Sequence, residues 1–204
     1  MSGKKEPSTL ILVNGKIGCG SPRAGPCFWH ASRDQLSGFV HGALEWFGAM
    51  EPAFPVVDFS AFSQVNERFR QGYFYWRHHA RRSYPRIHVL THSMGAAFGE
   101  GLLKAAAEMG YKPGWVVHVN PYQAKGLSVS SERVATVDYQ FTDDPLINNR
   151  ILKAFGHARP GLVTGASYPV RLRSGIGNPL KRHRGFIRSW GYHFWPHLYK
   201  LLNQ

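Results

Sequence analysis

The stretch HVLTHSMGAAFGEG, residues 88–101, sets a serine between a short apolar run and a series of small residues. A serine hydroxyl is a weak nucleophile until a histidine accepts its proton and an acid orients that histidine. The sharp strand-to-helix turn that exposes such a serine has the pattern G-x-S-x-G, in which small neighbours let the backbone fold tightly. Here the pattern reads Thr91-His92-Ser93-Met94-Gly95, followed by Ala96 and Ala97. Gly95 stands where the pattern wants it. Thr91 replaces the first glycine, so its side chain must find room. Ser93 is the candidate nucleophile, and the Met94 amide at the start of the next helix is a candidate oxyanion donor.

The surrounding elements must hold that turn. TLILVNG (9–15) is a continuous apolar, β-branched run, as expected of a strand buried on both faces. Helical spacing of Leu36, Phe39, Val40, Ala43, Leu44 and Phe47 predicts a helix over 33–50. FPVVDFS (54–60) reads as a strand, and the aromatic, basic segment 61–83 as a helix. RIHVLT (86–91) is a strand, and AAFGEGLLKAAAEMGY a helix stopped at Gly110. WVVHVNP (115–121) and VATVDYQF (134–141) are further strands, and YPVRLRS (168–174) has the same character. GIGNPLKRHRG reads as a loop, and WPHLYKLLN as a closing helix with Pro196 in its first turn. Strand–helix alternation predicts an α/β fold: a mostly parallel sheet with helices on both faces.

With that order of segments, residues 88–101 resemble the serine turn of the α/β-hydrolase fold, on its esterase and lipase side. VNGKIGCGSP near the start, and NPYQAKG followed by QFTDDPLI, are similar to the small lipase-like domains of bacterial Rhs-type polymorphic toxins. The length predicts one compact domain over 1–204 with little or no lid, and the residues before the first apolar run, 1–8, read as a flexible tail. The resemblance implies the chain order serine, acid, histidine. Asp143 and Asp144 end the strand segment VATVDYQFTDD and are the last acidic residues in the sequence, so the acid is one of these two. Asp144 is the first choice; capping of a helix before Pro145 is the alternative employment of this pair.

The base must then be His157, His183, His193 or His197. His193, in SWGYHFWPHL, precedes the final helix, where a loop can carry it over the serine. His183 sits among cationic neighbours in KRHRG, which disfavour the imidazolium formed during catalysis. A second oxyanion amide is expected from the loop after the first strand, at Gly15 or Lys16. The glycines Gly15, Gly18 and Gly20 do not form a phosphate loop, because Gly15-Lys16 is followed by Ile17. His92 precedes the serine and is expected to point away from the site.

Composition bounds the alternatives. The chain has 204 residues, 25 Lys plus Arg against 12 Asp plus Glu, and a formal net charge of +13. Every charged residue after Asp144 is basic. Such a surface attracts polyanions: an anionic membrane, an acidic protein partner or nucleic acid. The nucleic-acid reading rests on Arg77 to Arg82 and Lys181 to Arg184 and lacks a recognisable reading module. No apolar run approaches the length needed to span a bilayer. The N-terminus does not read as a secretory signal, which predicts a cytoplasmic protein or export by a signal-independent route. Cys19 and Cys27, even with His30, do not make a zinc site, and the adjacent His78 and His79 do not share a helix face. The expectation is therefore a serine hydrolase acting on an ester, plausibly a lipid or phospholipid, without metal or cofactor. A basic nucleic-acid-binding protein and a catalytically silent domain that binds an acidic partner are the alternatives.

Overall fold

The computed structural model describes residues 7–15, 29–32, 35–55, 64–80, 85–145, 161–176 and 191–203. The apolar runs become strands β1 (Ser8–Val13), β5 (Arg86–His92), β6 (Lys112–Val119) and β7 (Thr136–Phe141). Every side chain of β1 and β7 is buried, which requires a sheet covered on both sides. With β4 (Glu51–Ala53) and β8 (Tyr168–Leu172) they form a six-stranded sheet in the order β4-β1-β5-β6-β7-β8, parallel at every pairing. β2 (His30–Ser32) and β3 (Gln35–Leu36) make a separate antiparallel pair.

Helices α1 (Gly38–Phe47) and α4 (Phe194–Leu202) cover one face, over Leu10, Leu12, Leu90, Val117, Val137 and Tyr139. Phe194 lies 4.9 Å, ring to ring, from both Phe39 and Tyr139, and Trp195 Nε1 donates to the Phe39 carbonyl at 2.7 Å. Gly42 makes this possible, since a Cβ there would lie 2.4 Å from Trp195 Cδ1. Helices α2 (Val65–His79) and α3 (Gly95–Glu108) cover the other face, over Ile11, Val13, Ile87, Val89 and Val116. They cross in close contact at Gly72 and Gly101, where a Cβ would meet the Phe98 and Phe69 carbonyl oxygens at 1.9 and 1.8 Å. This is the expected α/β-hydrolase-like architecture: a parallel sheet, helices on both faces, and a serine between β5 and α3.

Several expected boundaries shift by a few residues, and two of the differences have a clear physical reason. A strand pairs with β1 at Glu51–Ala53, before the segment expected over 54–60; Phe54 and Pro55 lie outside it, and residues 56–60 lie outside the described residues. Pro52 is tolerated there because β4 is an edge strand among the described strands, where a residue without an N–H can face the open side and cost no ladder bond. The helix expected over 33–50 begins at Gly38, because the Ser37 hydroxyl accepts from the Val40 amide and starts it there. It ends at Gly48, whose left-handed backbone (φ 64°) turns its amide back to the Leu44 and Glu45 carbonyls.

Candidate active site

In a parallel sheet all strands end on the same edge, and the crevice beyond those ends is where side chains from separate strands converge. Here β1 is followed by Asn14 and Gly15, β5 by Ser93, β6 by Asn120, and β7, one residue further on, by Asp143 and Asp144. Three non-glycine residues among those described have positive φ: Ser93 (55°), Asn120 (48°) and Gln123 (60°). All three lie on this edge, so backbone strain of order 1 kcal/mol or more per residue is concentrated at the site.

The strained serine is held on both sides. The Ser93 amide donates to the Val119 carbonyl at 3.1 Å, and the Ser93 carbonyl accepts from the Tyr122 amide at 3.0 Å. The turn after β6 is itself fixed: the Asn120 amide donates to Tyr139, and Asn120 Oδ1 accepts from the Phe141 amide, both at 2.8 Å. Gly15 lies directly against Ser93. A Cβ there would be 2.7 Å from Ser93 Cβ and 3.1 Å from Oγ, and Asn14 Nδ2 holds the Gly15 carbonyl at 2.6 Å. Gly95 lets α3 start against β1, since a Cβ there would lie 2.6 Å from both the Val13 and Asn14 carbonyl oxygens. Met94 is buried in the helical conformation, and among the described residues its amide donates to no acceptor. Ser93, Gly15 and Met94 are thus brought together. Lys16 lies outside the described residues.

Thr91 finds its room in two ways. Its methyl faces Gly99, where a Cβ would come within 2.6 Å of Thr91 Cγ2. Its hydroxyl lies 2.7 Å from His118 Nδ1, and His118 Nε2 lies 2.8 Å from Glu100 Oε1. The second Glu100 oxygen accepts from the Ser130 amide. Thr91, His118 and Glu100 are all buried, so this chain of hydrogen bonds satisfies groups that would otherwise be costly there. The departure from the glycine pattern is therefore paired with a glycine one turn into α3.

The two aspartates have different surroundings. Asp143 accepts from the Ser174 amide and from the Ser174 hydroxyl, each at 2.9 Å, tying the end of β7 to the chain after β8. Asp144 is fully buried, with its amide donating to the Phe141 carbonyl. His193 ends the short turn Gly191–His193 that leads into α4, and its side chain is exposed. Among the described residues, no hydrogen bond joins His193 to Ser93 or Asp144. His197 sits half-buried one turn into α4, and His92 is buried at the end of β5. His157, His183, Cys19 and Cys27 lie outside the described residues.

Two buried ionisable groups near the site were not singled out from the sequence. Arg68 on α2 is fully buried and donates through Nη2 to Gln123 Oε1 at 2.8 Å, bracing the turn beside Ser93. Burial lowers its pKa to about 10, against the favourable effects of Tyr122 and Glu67. The signal was present: Arg68, Gly72 and Trp76 share one helix face, and that face is the buried one. Asp138 on β7 accepts from Val163 N and Gln140 Nε2, anchoring the chain at 161–163. Burial raises its carboxyl above the usual range, opposed by the Val163 and Gln140 hydrogen bonds and the charges of His118 and Arg171. Among the described residues no group of three or more His, Cys, Asp or Glu could hold a metal ion. No described helix is long and apolar enough to cross a membrane.

Comparison with solved structures finds an α/β-hydrolase, a thioesterase and a lipolytic enzyme, each at low identity. An extracellular α/β-hydrolase from a Paenibacillus species is 8% identical, with TM-score 0.42 over 96% of this chain and 99% of that one. YbtT, a type II thioesterase of a yersiniabactin biosynthetic pathway, is 8% identical, with TM-score 0.43 over 100% and 95%. A structure from the metagenome-derived lipolytic enzymes LipS and LipT is 9% identical, with TM-score 0.42 over 98% and 95%. No protein-family model matches the chain, and no curated protein matches it in sequence.

Proposed function

We propose that the protein is a serine hydrolase that cleaves a carboxylic ester. The observation that carries this reading is Ser93 itself: strained at φ 55°, pinned at both its amide and carbonyl, with the Gly15 backbone against its hydroxyl. In the proposed mechanism Ser93 Oγ attacks the acyl carbon and its proton passes to His193, which Asp144 orients. The amide of Met94, with that of Gly15 or Lys16, receives the charge developing on the carbonyl oxygen. The histidine then returns the proton to the leaving alcohol, and water releases the acyl group by the same steps in reverse.

The choice of Asp144 over Asp143 is supported by the Asp143 carboxylate already accepting twice from Ser174. His193 precedes a helix packed beside β7, and catalytic hydrogen bonds that are long or poorly aligned in an empty site tighten once substrate is bound. A lipid ester is the substrate class that suits the basic surface. On α2, exposed Phe74 lies between exposed Arg70 and Arg77, a combination that favours an anionic membrane. The finer likeness to toxin lipase-like domains rests on stretches of which 13–15, Asn120–Gly126 and 140–145 are described.

The test is hydrolysis of short p-nitrophenyl esters together with labelling by a fluorophosphonate probe. Labelling that disappears in Ser93→Ala, with the fold retained, is expected. A well-folded protein that neither labels nor hydrolyses any ester overturns the proposal. His193→Ala should abolish labelling; if His183→Ala does so instead, the base is reassigned and the serine mechanism stands.

A further inference from the structure

The opposite edge of the sheet carries a second concavity, of about 610 Å³. Arg86 at the start of β5 lines it, and β5 runs from there to Ser93 over seven residues, so the two sites are separated by roughly 23 Å at strand rise. Its volume falls in the range of small-molecule sites. Trp46, Trp115, Tyr168 and Tyr199 supply aromatic walls, with Arg86 and His88 between them. Trp46 and Trp115 meet edge to face at 5.3 Å, and Tyr168 stacks on Trp115 at 5.6 Å. Tyr199 is 61% exposed and Tyr168 36%, so part of this aromatic surface is open to solvent.

The electrostatics narrow the occupant. The last turns of α1 and α4 border the pocket through Phe47, Gly48, Leu202 and Asn203. Helix C-termini present carbonyls and a negative dipole end, which disfavours an anion. The Arg86 guanidinium disfavours a cation. His88 Nδ1 accepts from the Trp115 amide at 3.0 Å, which leaves the ring proton on Nε2. Burial, with the Arg86 charge beside it, lowers the His88 pKa to about 4, so the ring stays neutral at physiological pH. The lining therefore offers donors and acceptors together, between aromatic faces. A ring with hydroxyls at its rim and apolar C–H faces matches each part: hydroxyls both donate and accept, and C–H groups sit on the negative faces of aromatic rings.

We propose that this pocket binds an uncharged polyhydroxylated ring, the pyranose of a saccharide, at a site separate from the serine. The proposal does not depend on the hydrolase reading. The test is saturation-transfer NMR and calorimetry with glucose, galactose, mannose, N-acetylglucosamine, cellobiose and lactose at millimolar concentration. Glucuronate and glucosamine serve as charged counterparts. At least one neutral sugar is expected to bind, and the charged forms of the same ring roughly tenfold more weakly. Tyr199→Ala and Arg86→Gln should each weaken binding by a similar factor, with thermal midpoints confirming the fold. Ser93→Ala should bind as the wild type does, and Tyr199→Ala should hydrolyse esters as the wild type does. Absence of any neutral sugar binding, tighter binding of a charged form, or loss of binding in Ser93→Ala overturns the proposal.

Discussion

Gly15→Ala is the most informative perturbation, because it adds one methyl group beside the proposed nucleophile. The new Cβ would sit 2.7 Å from Ser93 Cβ, 3.1 Å from Oγ and 3.2 Å from the His92 carbonyl oxygen. Carbon atoms settle about 3.5–4.0 Å apart, so the first contact must open by roughly 1 Å. Neither side yields freely. Ser93 is tied to Val119 and Tyr122, and Asn14 holds the Gly15 carbonyl. Overpacking of this kind costs about 1–3 kcal/mol of stability, and a displacement near 1 Å at a reacting atom costs on the order of 10²-fold in rate. The assay is kcat/KM on a short p-nitrophenyl ester and the rate of fluorophosphonate inactivation, with the thermal midpoint measured alongside. In a Ser93→Gly background the contacts to Cβ and Oγ are gone, so the stability cost of Gly15→Ala should shrink. A Gly15→Ala variant with wild-type turnover and stability would refute the reasoning.

Ser93→Gly, at a left-handed position, should raise stability by about 1 kcal/mol while abolishing ester hydrolysis, checked by denaturant titration and activity. Gly99→Ala brings a methyl within 2.6 Å of Thr91 Cγ2 and should destabilise by about 1–3 kcal/mol; Thr91→Ser, which removes that methyl but keeps the hydroxyl, should restore most of it in a double-mutant cycle. His88 provides a pH signature. Below pH 6.5 the unfolded chain protonates this histidine, while the folded one does so only near pH 4, so stability should fall with pH across that window. The span of about 2.5 units corresponds to roughly 3 kcal/mol. His88→Gln, which keeps an acceptor for the Trp115 amide, should flatten the dependence in pH-resolved unfolding curves, and an unchanged slope would count against it.

Local pattern alone determined a large part of this protein. The runs TLILV, RIHVLT and VATVDYQF are rich in apolar and β-branched residues, which suits strands of a sheet covered on both faces, and they became β1, β5 and β7. Ser93 was legible because a small-residue helix follows a strand directly. The choice between Asp143 and Asp144 was narrowed to two because no acidic residue follows them. What sequence periodicity could not reach were the long-range pairings. Which three residues pair with the outer side of β1 depends on register across chain-distant backbone, and periodicity did not point to Glu51–Ala53. Whether threonine fits at position 91 depended on Gly99 and His118, which only the folding of α3 and β6 around β5 brings to it. The different employment of the two aspartates came from Ser174, thirty-one residues away from Asp143. The aromatic pocket at the far edge is assembled from α1, β5, β6, β8 and α4, none of which carries it alone. Short-range chemistry specified the Ser93 turn; the close approach of distant backbone at Gly15 decided how it is held.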